Sequence, residues 1–180
     1  MKQQWAMFAM GAWLAGNVMV AVVAVENFYT VDRLLTGSTN RAFASQVARV
    51  GQVETRDLLR YLSSELNRRY FKLWNATQAA IGLLVLGLIA RGPVAPARWG
   101  VLGMLGLVAL TIVWLTPEII SLGRSLDFVP RTPPPPALRR FWILHGVYTF
   151  LEGCKLVIGV IVAVWIGRSI PPQQMRQVAA

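Results

Sequence analysis

The chain is poor in the residues that carry most metal and nucleophilic chemistry. It has a single cysteine, Cys154, and a single histidine, His145, in 180 residues. One Cys cannot close an internal disulfide, and one Cys with one His cannot build a Cys/His zinc site within a chain. Charge is scarce and one-sided: 14% of residues are charged, 8 acidic against 18 basic, for a net of +10. An average soluble domain is about 25% charged, so a water-solvated globule is disfavoured. Enzyme signatures are missing as well, with no G-x-x-x-x-G-K-[ST] phosphate loop, H-E-x-x-H helix or G-x-S-x-G elbow. No catalytic residue and no metal site is expected, and the balance favours a protein that is not an enzyme.

What the chain does have is long apolar runs. It is 55% hydrophobic with a mean hydropathy of +0.49. Four runs, at about 5–25, 70–90, 99–116 and 141–166, suit the roughly 20 residues of a helical membrane span. The expected fold is all-α, one integral membrane domain over 1–180 built as a four-helix bundle. The first run is broken only by Asn17 and exceeds the apolar core of a secretory signal, so it reads as a retained span. Gly11 with Ala15, and Ala12 with Gly16, are small pairs that admit a neighbouring helix. The turn Arg91-Gly92-Pro93-Val94-Ala95-Pro96 makes spans two and three a hairpin. Thr116-Pro117-Glu118 has the order of a helix start, a capping Thr before Pro. It predicts a kink or a short interfacial helix with Ile119, Ile120, Leu122 and Leu126 as its apolar side. Pro133 to Pro136, within a Pro-rich connection at 130–137, is an extended spacer.

Between the first two spans, Gly37-Ser38-Thr39-Asn40 reads as a turn and helix start. A basic amphipathic helix over 39–69 then precedes the second span, either lying on the membrane or standing up from it. Phe43, Val47, Val50, Leu58, Leu62, Leu66 and Leu73 keep helical spacing, while Arg49, Arg56 and Arg60 occupy another face and Glu65 precedes Arg69 by four. Arg49, Arg56, Arg60, Arg68 and Arg69 are expected to face anionic lipid headgroups or a partner. Because the basic residues lie between apolar runs rather than in a tail, the partners expected are the bilayer and other membrane subunits, not nucleic acid. The side of the termini holds Lys2, Arg91, Arg98, Arg168 and Arg176; the two long connections hold twelve basic residues. The positive-inside rule then places both termini outside and the connections in the cytoplasm, in a bacterial inner (cytoplasmic) membrane. Arg68-Arg69-Tyr70-Phe71 also echoes Arg139-Arg140-Phe141-Trp142, an offset that sets Gly82 against Gly153 and suggests two related hairpins.

The last span carries the main functional clue. His145, Tyr148, Glu152 and Lys155 fall at helical spacing and form one intramembrane polar stripe. Such groups normally face a bundle interior or cavity. Asn17, Asn75 and Gln78 are further interior polar candidates. In the leading reading, Glu152 and Lys155 neutralise each other and hold the register of a non-catalytic subunit or scaffold packed in a larger membrane assembly. A second reading makes His145 an axial ligand for haem or another tetrapyrrole, the other ligand coming from a second chain or from Met7, Met10, Met19 or Met104. A third makes Glu152 and Lys155 the centre of a small ion or solute carrier. No cofactor is required by the first or the third.

Several stretches together resemble a known family. They are the apolar first span; Leu66-Asn67-Arg68-Arg69-Tyr70-Phe71-Lys72-Leu73-Trp74 entering the second; Thr116-Pro117-Glu118-Ile119-Ile120 after the third; and Arg140-Phe141-Trp142-Ile143-Leu144-His145-Gly146-Val147-Tyr148 opening the fourth. The layout is similar to the transmembrane protein 205-like family (domain of unknown function 4149), small four-span membrane proteins, over most of the chain. The resemblance implies a four-helix membrane fold and importance for His145, and it supplies no reaction. Many members place a Pro soon after the first span, where this chain reads Val25-Glu26-Asn27-Phe28.

Overall fold

The computed structural model describes residues 1–92 and 94–170, so Pro93 of the expected turn and Arg176 lie outside the described residues. Helix follows helix: α1 (Lys2–Gly37), α2 (Arg41–Val50), α3 (Gln52–Ile89), α4 (Ala95–Leu110), α5 (Thr116–Ser125) and α6 (Pro136–Arg168). A π turn, Thr111–Leu115, joins α4 to α5, so these act as one rod. Four rods result, α1, α3, α4–α5 and α6, each long and apolar enough to cross a membrane. The fold is an all-α four-helix bundle. Each rod packs on the next around a ring, and α6 closes it on α1. Asn17 meets Glu152 while Leu14 lies over Gly159, so α6 runs antiparallel to α1.

The bundle has a narrow core, formed by Met10, Trp13, Val85, Ile89, Val101, Met104, Val108, Val162 and Ile166. Trp5, Phe8, Val18, Leu83, Leu84 and Phe150 point outward. That distribution is stable only where the surroundings are themselves apolar, as lipid tails are. Close packing then depends on small residues. Any Cβ at Gly82 would lie 2.9 Å from the Trp13 ring and closer still to Leu105. Gly153 has nothing within 4 Å of such a Cβ, so the expected equivalence of the two glycines does not exist in the packing. Of the two small pairs on α1, Gly16 receives the Trp74 ring, whereas Gly11 faces open space.

Local structure departs from expectation in three places. With no Pro at 25–28, α1 stays helical through Glu26 and Asp32 to Gly37, well beyond the apolar run. The amphipathic helix expected over 39–69 is not continuous. Asn40 caps α2 by accepting from the Phe43 N–H at 3.1 Å, and the chain breaks at Gly51, whose φ of 103° only glycine adopts without strain. After the break, α3 runs unbroken into the second span. Thr116, expected to cap a helix, has helical φ and ψ itself (−66° and −45°). Pro117 has no N–H for the Val113 carbonyl and its ring crowds that group; the wider π turn just before it relieves the conflict without ending the rod.

Candidate functional site

α1, α3 and α6 converge on a polar knot inside the bundle. Lys155 is 1% exposed, and its Nζ donates to Glu152 Oε1 and to Gln78 Oε1, both at 2.7 Å. Gln78 Oε1 also accepts from Trp13 Nε1 at 3.1 Å. Both neighbours are donors, so the Gln78 amide must present its oxygen to them. Asn17 Nδ2 donates to the Glu152 backbone carbonyl at 3.2 Å, and Trp74 Nε1 points at Asn17 Oδ1 at a long 3.4 Å. Three helices are thus tied by one connected set of polar contacts, worth most where no water competes.

The knot is not fully satisfied. Gln78 Nε2, Glu152 Oε2 and the Tyr148 hydroxyl are buried without a hydrogen-bond partner among the described residues. Tyr148 lies one turn before Glu152 and packs edge-on against Phe71, with ring centroids 5.3 Å apart. Leaving a buried polar atom unpaired costs about 1–3 kcal/mol.

His145 stands apart from this knot. It is half-buried, stacks on Phe141 and meets Trp142 of its own helix edge-on, both at 5.9 Å, and its ring nitrogens have no hydrogen bond among the described residues. Three of the four methionines expected as a second ligand pack far from it. Met104 packs at the level of Gly159, fourteen residues along α6, which is about 21 Å at 1.5 Å per residue. Met7 packs farther away, at Gly167, and with it Met10 one turn on along α1; Met19 is 63% exposed. Met104, Met7 and Met10 are therefore too far along the bundle to share one metal with His145.

Asn75 is buried on α3, where its Nδ2 donates to Thr116 Oγ1 at 2.9 Å. It belongs to the contact with the α4–α5 rod rather than to the Lys155 knot.

The basic residues fare differently from one another. Arg49 and Arg69 are exposed and make no ion pair among the described residues. Arg56 and Arg60 instead turn toward α1 and pair with Asp32 at 3.2 and 3.4 Å. Arg68 is the clearest correction. Its guanidinium, 11% exposed, grips both oxygens of Asp127 at 2.8 and 2.9 Å and takes Glu65 at 2.6 Å. The expected Glu65–Arg69 pair is therefore displaced. A planar fork held by two carboxylates outcompetes a single exposed contact.

Sequence reasoning missed the ladder that joins α1 to α3. Asn27 Nδ2 donates to Asn67 Oδ1 at 2.6 Å, Asn67 Nδ2 to the Ala24 carbonyl, and Ser63 to the Asn27 carbonyl. Ser63, Asn67, Trp74 and Gln78 recur at helical spacing, a signal hidden by the more conspicuous leucine stripe. That stripe faces the other way: Leu58 and Leu62 are 55% and 54% exposed.

Comparison with known proteins adds nothing further: no family model, curated protein or solved structure matches this chain.

Proposed function

We propose that the protein is a non-catalytic subunit or scaffold of a larger membrane assembly, and that the α1–α3 hairpin is its contact element. The observation that carries this reading is the inverted burial of α3. Its 38 residues span about 57 Å, against roughly 30 Å of hydrocarbon, so the part before residue 70 extends beyond the apolar run. There the polar face, Ser63 and Asn67, is buried against α1, while Leu58 and Leu62 are left outside. α2, at the tip, buries no residue at all. A rigid hairpin held by polar contacts, with an apolar edge outside the bundle, suits contact with another membrane subunit.

The same proposal places both termini outside and the hairpin in the cytoplasm of a bacterial inner membrane, supported by the excess of basic residues in the two long connections. Kinship with transmembrane protein 205-like proteins rests on the sequence stretches named above alone. A carrier centred on Glu152 and Lys155 draws less support, because their ion pair is closed at 2.7 Å and Gln78 occupies the ammonium as well.

The experiment is purification in mild detergent with mass and subunit analysis. A stoichiometric partner should accompany the wild type and be lost from Leu58→Glu/Leu62→Glu at unchanged helix content. A wild type that runs as a lone monomer with nothing bound overturns the reading.

A further inference from the structure

A cleft of about 580 Å³ opens on the side of the bundle between α3 and the rod formed by the π turn and α5. Its two cations lie at one end, with the apolar Ile120 among them and Ile112 at the other end. Asn75 meets Thr116 near the middle; Lys72 lies about one turn, and Arg124 about two turns, toward the long connections. Ile112 lies one turn the other way, toward the apolar centre, and Ser121 adds a hydroxyl on the cationic side.

We propose that this cleft holds one anionic phospholipid, its phosphate between Lys72 and Arg124 and an acyl chain running down past Ile112. Charge supports the choice. Lys72 makes no ion pair among the described residues, and Arg124 reaches only Glu65, at 3.6 Å, a carboxylate already held by Arg68 at 2.6 Å. Glu118, on the same rod, is engaged by Arg140. Two under-matched cations at the edge of an apolar groove suit a phosphodiester, and basic pockets between spans are a recurrent headgroup site. A zwitterionic headgroup would add a third positive charge, and no carboxylate lines the cleft among the described residues to meet it.

The floor of the cleft is matched to the glycerol region. Asn75 is 3% exposed, and its Oδ1 is buried without a partner. Turned about its amide axis, Asn75 would accept the Thr116 hydroxyl on Oδ1 and offer Nδ2 to an ester carbonyl.

Native mass spectrometry of the detergent-purified protein with equal phosphatidylglycerol and phosphatidylcholine tests the site. One phosphatidylglycerol should be retained in preference. Lys72→Gln/Arg124→Gln should weaken retention by about fivefold for each lost cation. Ile112→Trp, which fills the groove without changing charge, should remove the adduct at unchanged helix content. Arg49→Gln/Arg139→Gln, two cations away from the cleft, should leave it intact. Equal retention of the two lipids overturns the proposal, as does an adduct that survives either cleft variant or is lost from the remote one. The readout is lipid on the purified chain, so it stands or falls separately from any protein partner.

Discussion

Lys155 has three N–H donors in a 1% exposed position, and among the described residues only Glu152 and Gln78 receive them. Removing the ammonium strands a carboxylate that is itself only 15% exposed. Lys155→Met should therefore destabilise the bundle by about 3–5 kcal/mol, whereas Lys155→Met/Glu152→Leu should recover most of that loss, because no buried charge is left alone. Unfolding in detergent measures both; a double variant as unstable as the summed singles would show that the pair is not coupled. The stripe and its ion pair were legible because spacing along one helix determines which residues share a face. That Gln78 and Trp13 complete the knot was not legible, since they come from other helices. Outside the apolar runs, Glu65 gives a second test. Hydrogen bonding from Arg68, with the charges of Arg68 and Arg124, lowers its carboxyl below the ordinary 4.5. The charged form is the favoured one in the folded state. Its contribution is present above pH 4.5 and lost as pH falls through the lower folded value. The stability gap between wild type and Glu65→Gln should close over that acid range; a gap independent of pH would contradict the assignment.

At the scale of elements, two devices set the shape of the α1–α3 hairpin. Gly51 turns α2 away from α3 with φ 103° and ψ 142°, a region closed to other residues. Gly51→Ala should cost about 1–3 kcal/mol or straighten the corner, and a distance measured between spin labels on α2 and α3 would report which. An isolated Gly within a helical pattern is a known warning of such a break, but the leucine period runs through it and conceals it. The second device is Arg68. It ties α3 to the segment after α5 through a bidentate contact with Asp127, 59 residues away. A double-mutant cycle over Arg68→Ala and Asp127→Ala should give a coupling of about 0.5–3 kcal/mol, with Arg68→Lys failing to restore it, because an ammonium cannot reproduce the fork. Local pattern placed Arg68 with the outward-facing cations. Only the approach of α5 reveals the partly buried acceptor.

For the whole molecule, the governing fact is that apolar side chains cover the outside while Asn17, Asn75, Gln78 and Lys155 lie within. Lipid leaves apolar residues at ease on the surface and obliges polar ones to find partners. Orientation then follows from charge rather than packing. A reporter fused at Ala180 should signal from outside the cytoplasm; a cytoplasmic signal would reverse the proposed topology and move the hairpin to the opposite face.

The amino-acid order determined by itself that this chain forms long helices, that four are apolar enough to cross a membrane, and that His145, Tyr148, Glu152 and Lys155 share a stripe. Those properties depend on composition and on a 3.6-residue period, both local. Tertiary structure alone decided which face of α3 is buried, which carboxylates claim Arg68, and that His145 stands outside the Lys155 knot. Each of these is a competition among groups far apart in the chain, resolved only when the rods come together.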